Sequence, residues 1–262
     1  MTFEPRENQH IHLAMIVLDT PSLPAPRDLF ATFASLSGKA IDPATVVAKE
    51  GTLAFDLDGG KAAVALMPVP IPWAPLEGPC ETAWWWPEAG AKIQNHTSHL
   101  IVALGRNAAS EGERDALHQS VTLTQLVAAV AAHVDAAGVF WGGGSLVHDP
   151  QVFFEEARHA SPKNLPLHLW IDFRIEQNDD GTFRLFTTGM KSLGRMELEI
   201  PHSQRQPTEV FDFAYSIADY ILTLGAEVRD SQTVGRTDDE KVMATHAPSM
   251  LDPKMTVLRL EF

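Results

Sequence analysis

The sequence predicts an α+β fold, with antiparallel sheets and helices packed on one face. Three observations carry this prediction. Asp58-Gly59-Gly60 and Asp179-Asp180-Gly181 each stand between short apolar runs, as hairpin turns do. Elsewhere, as in 208–224, apolar residues recur at helical spacing. In both halves of the chain these segments follow as strand, helix, hairpin strands, helix, strand, and a hairpin demands antiparallel pairing. The order reads as a duplicated ferredoxin-like arrangement within a single compact domain, 1–262, with pseudo-repeat halves 10–105 and 106–262.

Element by element, HLAMIVL (12–18) reads as a buried strand. After the Pro-rich 21–26, Leu29, Phe30, Phe33 and Leu36 predict a helix over 27–36, and Gly38 stops it. Residues 52–55 and 62–67 form the first hairpin around Asp58 to Gly60. The five prolines of 68–79 predict an extended stretch that is neither helix nor central strand. A helix begun or interrupted at Pro87 is expected within 81–94, then a strand at 99–104. In the second half, 110–136 is a long amphipathic helix, 139–141 a strand and 151–159 a short helix. Strands 167–177 and 181–188 flank the second hairpin turn, and 196–200 alternates as a strand. A helix over 208–224, capped by Gly225, and a strand over 256–262 close the chain.

The 262 residues are 45% hydrophobic, which suffices for a sizeable core. The formal net charge of −14 repels phosphate backbones and anionic lipid, so neither nucleic acid nor membrane is an expected partner. An acidic surface suits a basic protein partner instead. Cys80, the lone cysteine, fits a reducing compartment. No apolar run approaches a membrane span, and no signal-peptide pattern is visible in MTFEPRENQH, so the expected location is cytoplasmic.

Several residues are candidates for chemistry, each with a plainer structural alternative. His96 and His99 stand three apart and would share a helix face, where they could ligate a divalent metal. His10 and His12, Asp135 and Asp172 are available as further ligands. Alternatively, His96 caps a helix end and His99 packs at the start of a strand. Trp73, Trp84, Trp85 and Trp86 cluster in and beside the proline stretch, as a core or as anchors for a partner. Three consecutive tryptophans on a helix point about 100° apart, so at least one should be partly exposed. Trp141-Gly142-Gly143-Gly144-Ser145 follows a strand and is either a tight turn using glycine for positive φ or an anion cradle. It lacks the lysine of a P-loop and the spacing of a dinucleotide fingerprint. Cys80 has no nucleophile context, there is no Gly-x-Ser-x-Gly elbow, and Ser145 with His148 is not diagnostic. Glu155-Glu156 and Asp238-Asp239 read as solvated charges. Glu197 and Glu199 share a strand face, where they serve a cation or, more simply, face solvent.

The last third carries a resemblance. TTGMKSLGRMELEI (187–200), ILTLGAEVRDSQTVG (221–235) and MTVLRLEF (255–262) together resemble the bacterial family called domain of unknown function 4261. The family's Thr-x-Gly segment corresponds to Thr187 and Gly189, with Gly194 following. Its Glu-x-Glu strand corresponds to Glu197 and Glu199, and its Asp-Gly-Asp-Thr-Ile-Gly loop to Asp230, Thr233, Val234 and Gly235. Ser231-Gln232 replaces the loop's Gly-Asp, so a ligand or acid at that aspartate would be missing here. Upstream, 67–89, 96–102 and 136–147 look like longer proteins in which this domain occurs. The resemblance implies a bacterial cytosolic protein, of a kind often found near secretion or toxin–immunity systems, and supplies no activity. From the residues themselves, Asp230 and Thr233 are expected to lock their loop through backbone N–H groups, or to bind.

No complete catalytic constellation is present. The expectation is therefore a non-enzymatic protein-binding module of adaptor, chaperone-like or immunity type that needs no cofactor. The alternative is a metal-assisted hydrolase or other small-molecule enzyme built on His96 and His99.

Overall fold

The computed structural model describes residues 12–105 and 113–262. His10, and residues 110–112 at the start of the expected long helix, lie outside the described residues. The chain is α+β and divides into two compact units. The first comprises the described residues up to Gly142 together with Leu146–Ala160; the second comprises Gly143–Ser145 and Ser161–Phe262. The expected division at 105/106 falls inside the first unit.

The first unit runs β1 (His12–Leu18), α1 (Pro26–Ser37), β2 (Val47–Lys49), β3 (Thr52–Leu57), β4 (Gly60–Met67), α2 (Ala74–Glu81) and α3 (Ala89–Ile93). It continues with β5 (Ser98–Gly105), α4 (Glu113–Ala131), β6 (Ala136–Trp141), β7 (Leu146–His148) and α5 (Pro150–Ala157). The strands form one sheet in the order β2-β3-β4-β5-β1-β6-β7, and every pairing is antiparallel. Pro26 in the first turn starts α1, and Gly38 at φ 69° closes it by donating its N–H to the Ala34 carbonyl. Asp58 and Gly59, at φ 50° and 73°, make the two-residue turn between β3 and β4.

In β1 the side chains alternate. Met15 and Val17 join the core formed by α2, α3 and β7, while Ala14, Ile16 and Leu18 are fully buried on the other side. Both faces of this sheet are therefore covered, and α4 packs on β1 and β5. Residues 119–131 of α4 are buried all round, beneath α1 and α5 as well as on the sheet. The expected polar outer face of this helix is absent there. Its buried polar groups are in part answered: Thr124 donates to the Ser120 carbonyl one turn back, and Gln125 to the Ala160 carbonyl beyond α5.

The second unit runs α6 (Leu167–Trp170), β8 (Asp172–Gln177), β9 (Phe183–Thr188), β10 (Leu198–Ser203), α7 (Pro207–Leu224), β11 (Gln232–Val234), β12 (Val242–Pro248) and β13 (Thr256–Glu261). Its sheet has the order β11-β12-β13-β10-β9-β8, antiparallel except for β10 against β13. Helix α7 lies on β8, β9 and β10 and buries Val210, Phe213, Ile217 and Ile221. Glu209 accepts the Gln206 N–H at its start, and Gly225 at φ 64° ends it.

The proline stretch departs from expectation, since α2 begins inside it. Pro75 falls in the first turn, where its missing N–H costs nothing. Pro79 removes only the bond to the Pro75 carbonyl. The expected helix over 81–94 shrinks to α3, and Trp84 to Trp86 sit in turns. The expected strand over 167–177 begins as α6 before β8.

Candidate binding surface

The tryptophan run is built from both sides. Upstream, residues 68–72 form a strap held by the two histidines. His96 is buried; its Nε2 accepts the Ile71 N–H at 2.7 Å and its Nδ1 donates to the Ile93 carbonyl at 2.7 Å. His99, buried on β5, donates from Nδ1 to the Val69 carbonyl at 2.9 Å. Burial, opposed by the Val69 bond and reinforced by His96, lowers the pKa of His99, so its ring stays neutral. Both nitrogens of His96 are occupied by main chain, and a metal at either would cost one of those bonds. Among the described residues no group of three or more His, Cys, Asp or Glu could hold a metal ion. His12, Asp135 and Asp172 thus complete no such set with the pair. Asp172 instead pairs with Arg174 at 2.7 Å, while burial raises its pKa.

The strap leads into Trp73, half-buried against the core of α2, α3 and β7. Three tryptophans follow α2, and they divide. Trp86 is 8% exposed and packs in that core with Leu76, Cys80 and Ile93. Its ring also lies over Gly138 of β6: a Cβ there would stand 3.4 Å from Trp86 and 2.8 Å from Ile93. Glycine is needed at Gly138 for this close approach rather than for its φ. Trp84 and Trp85 point the other way, 59% and 49% exposed, with ring centroids 3.3 Å apart and planes inclined by 27°. Around the pair, Glu77 and Glu81 of α2 and Pro87 and Glu88 of the following loop are exposed. Cys80, beneath it, has its thiol pushed up to about 11 by burial and by Glu81, which removes it as a neutral-pH nucleophile.

The second unit resolves the Glu-x-Glu motif. Glu197 and Glu199 do not face solvent; both are buried. Glu197 accepts the Thr187 hydroxyl at 2.7 Å and the N–H groups of Gly189, Met190 and Lys191 at 2.9, 3.1 and 2.9 Å. All four are donors, so the side chain acts as acceptor only. Gly189 has φ 128°, and a Cβ there would collide with the Trp170 carbonyl. Glu199 holds Ser249 Oγ at 2.6 Å and the Met250 N–H at 2.9 Å, with Arg259 at 3.5 Å. The two carboxylates are loop staples, one for 187–191 and one for 249–250. Asp230 acts likewise: its Oδ1 accepts the His246 N–H at 2.8 Å, which with Ser231 holds its pKa below the usual carboxylate value. Ser231 has φ 60°, a conformation natural to the glycine of the family pattern. Gln232 turns back to accept the Arg229 N–H at 3.0 Å, and Thr233 pairs with Met243 between β11 and β12. In the Gly142 to Ser145 turn the positive φ, 52°, belongs to Ser145 rather than to a glycine.

Two groupings escaped the sequence reading because their members are distant along the chain. In the first unit, Asp58 Oδ2 is met by Lys39 Nζ at 2.6 Å, Thr122 Oγ1 at 2.9 Å and His118 Nε2 at 3.1 Å. Burial disfavours its charge, but the Lys39 and Thr122 bonds and the nearby Lys39 and His118 outweigh that and lower its pKa. The cluster ties the β3–β4 turn to the end of α1 and to α4. Thr122 is buried, which leaves no accessible hydroxyl nucleophile. In the second unit a cleft of about 510 Å³ is lined by Thr182, His202, Ser203, Gln204, Arg205 and Phe262, with the Arg205 guanidinium 4.4 Å above the Phe262 ring. Its charge is mixed, since Arg205 faces Glu209 at 3.9 Å and Thr182 donates to Asp180.

None of these groupings assembles a nucleophile, a base and an accessible reacting position. Trp84 and Trp85 remain the most exposed tryptophans of the first unit, stacked on one another. No helix among the described residues is long and apolar enough to cross a membrane. No curated protein and no solved structure matches the chain. Residues 186–261 match the model of the family described as Domain of unknown function (DUF4261), the stretch in which the Glu197 and Glu199 staples and the Asp230 loop lie.

Proposed function

We propose that this chain is a non-enzymatic protein-binding module, of adaptor, chaperone-like or immunity type, and that the loop bearing Trp84 and Trp85 is its contact face. One observation carries the reading. Two of the largest apolar side chains are held exposed and stacked on a loop whose own third tryptophan is buried as its anchor. Tryptophans of this kind are the commonest hot spots of protein interfaces, because each buries a large area at little entropic cost. The anchoring supports the reading too. A loop held by Trp86 and by the histidine-bound strap loses little freedom on association. The net charge of −14 favours encounter with a basic partner.

The test is native mass spectrometry of the purified chain after incubation with lysate from its source. The expected result is a discrete protein adduct, lost in the Trp84→Ala/Trp85→Ala double variant while its urea midpoint is unchanged. Equal capture by the folded double variant would remove the indole pair from the function.

A further inference from the structure

The strap 68–72 depends on its two histidines for hydrogen bonding. It reads Pro-Val-Pro-Ile-Pro, so three of its five residues carry no N–H. Among the described residues its hydrogen bonds are two: the Ile71 N–H to His96 Nε2, and His99 Nδ1 to the Val69 carbonyl. No strand pairing adds to them. Pro68, Val69, Pro70 and Pro72 are exposed, and Ile71 alone is buried, in the core that holds Leu76, Trp86 and Ile93.

The two rings answer a proton differently. Because Nε2 of His96 accepts, its proton is on Nδ1, where it serves the Ile93 carbonyl. A second proton has to enter at Nε2, and an imidazolium accepts nothing. The Ile71 N–H, 2.7 Å away, would then face another donor, so charging His96 breaks the bond. His99 keeps its Val69 bond when charged, but the charge then lies in a buried ring. Burial lowers its pKa against the pull of the Val69 bond, and His96 lowers it further. Lifting the strap hydrates both rings at the loss of two hydrogen bonds and the Ile71 contacts. The other titratable groups on the surrounding elements stand apart. Lys61 and His12 are at the far ends of β4 and β1, opposite Gly105 and Leu104. Asp19, Glu77, Glu81, Glu88 and Lys92 are exposed, and burial keeps Cys80 protonated. His148 lies on β7, three strands from β5 in the sheet. Of all these groups, His96 alone acts on His99.

We infer that His96 and His99 form a proton-operated latch, closed when both rings are neutral and released in mild acid, which lifts residues 68–72 while the sheet of the first unit stays folded. The opening is local, because the strap shares no ladder with the sheet. His99 is depressed from 6.5, so its part in closure is complete above that value and is lost as pH falls below it. Release withdraws Ile71 from the core around Trp86 and so loosens the anchor of the tryptophan loop. The latch stands whether or not that loop binds a partner.

The test is amide hydrogen exchange in the full chain labelled with ¹⁵N at isoleucine and histidine. Ile71 reports the strap, and Ile16 of β1 and Ile101 of β5 report the sheet. Protection is corrected for the intrinsic pH dependence of exchange. Between pH 7.5 and 5.5 the protection of Ile71 is expected to fall several-fold, up to about tenfold for each histidine that gains its proton on opening, while Ile16 and Ile101 keep theirs. The His96→Gln/His99→Gln variant retains an acceptor and a donor without a charge, and its Ile71 protection should not change with pH. In the wild type the imidazole nitrogens should take up their protons over the range in which Ile71 loses protection, a check that needs no variant. Unchanged Ile71 protection would overturn the latch. So would an equal fall at Ile16 and Ile101, which would mean that the unit opens as a whole. A fall that persists in the glutamine variant, or that occurs outside the range of the imidazole titrations, would assign the release to another group and overturn it as well.

Discussion

Glu197 shows how much one side chain can organise at the residue scale. Three consecutive main-chain N–H groups, from Gly189 to Lys191, have no other acceptor available in the short helical turn they begin, and one carboxylate serves them all. Removing it leaves buried donors unanswered, and hydrogen bonds to a charged acceptor are among the stronger ones. Glu197→Ala should therefore cost about 3 kcal/mol in urea unfolding, with the loss centred on 187–193 in amide exchange. A midpoint unchanged from wild type would show the staple to be redundant. In this chain the Glu-x-Glu segment holds loops. A chemical role for Glu197 or Glu199 would require them to give up those bonds. The same logic applies to His96, which looks like a metal ligand in sequence and in the fold spends both ring nitrogens on backbone partners.

The element scale is where the tryptophan run divides. Reading 81–94 as helix gives three indoles spread at equal angles and no reason to choose among them. In the turns that replace it, Trp86 enters the core over Gly138 and its two predecessors leave it. Trp86→Ala opens a cavity and should cost about 3–5 kcal/mol, whereas Trp84→Ala should change stability by less than about 0.5 kcal/mol. Thermal or urea melts of the two single variants decide this, and equal effects would contradict the assignment of anchor and face. The contrast also explains what was legible beforehand. Helices α1 and α7 and strands β1, β3, β5 and β13 announce themselves by period, cap and turn, because those signals are local. The exposure of one tryptophan and burial of the next depends on β6, some fifty residues on. Burial of Glu197 and Glu199 depends on donors from a turn, on Ser249 and on Arg259, so strand alternation suggested a solvated face instead. The start of α2 inside the proline stretch was missed because proline was counted as a breaker when the first turn of a helix accepts it.

For the whole molecule, the perturbed groups of the first unit combine into a pH profile of stability. His99 has its pKa depressed below its ordinary 6.5. The native ring resists a proton that the unfolded ring accepts, so this contribution is complete above 6.5 and is lost as pH falls below it. Asp58 is also depressed, from 3.8, and its contribution is present above that value and lost below it. Cys80 is raised from 9.0 to about 11; the native thiol keeps a proton that the unfolded one sheds, so its contribution holds below 9.0 and is lost as pH climbs towards 11. The three signs leave a plateau between about pH 6.5 and 9, with an acid limb that begins at His99 and deepens at Asp58. The urea midpoint should follow this course, and His99→Gln should delay the onset of the acid limb until the carboxylates titrate. Asp172 in the second unit has the opposite sign, since burial raises its pKa and it favours the fold more as it takes up its proton. Five of the six tryptophans lie in the first unit and only Trp170 in the second. Tryptophan fluorescence therefore weights the acid limb towards the first unit, and far-ultraviolet dichroism weights it less. An earlier acid transition by fluorescence than by dichroism is the expected outcome. Coincident transitions starting only near pH 4 would mean that the histidine-held strap contributes nothing to the acid response.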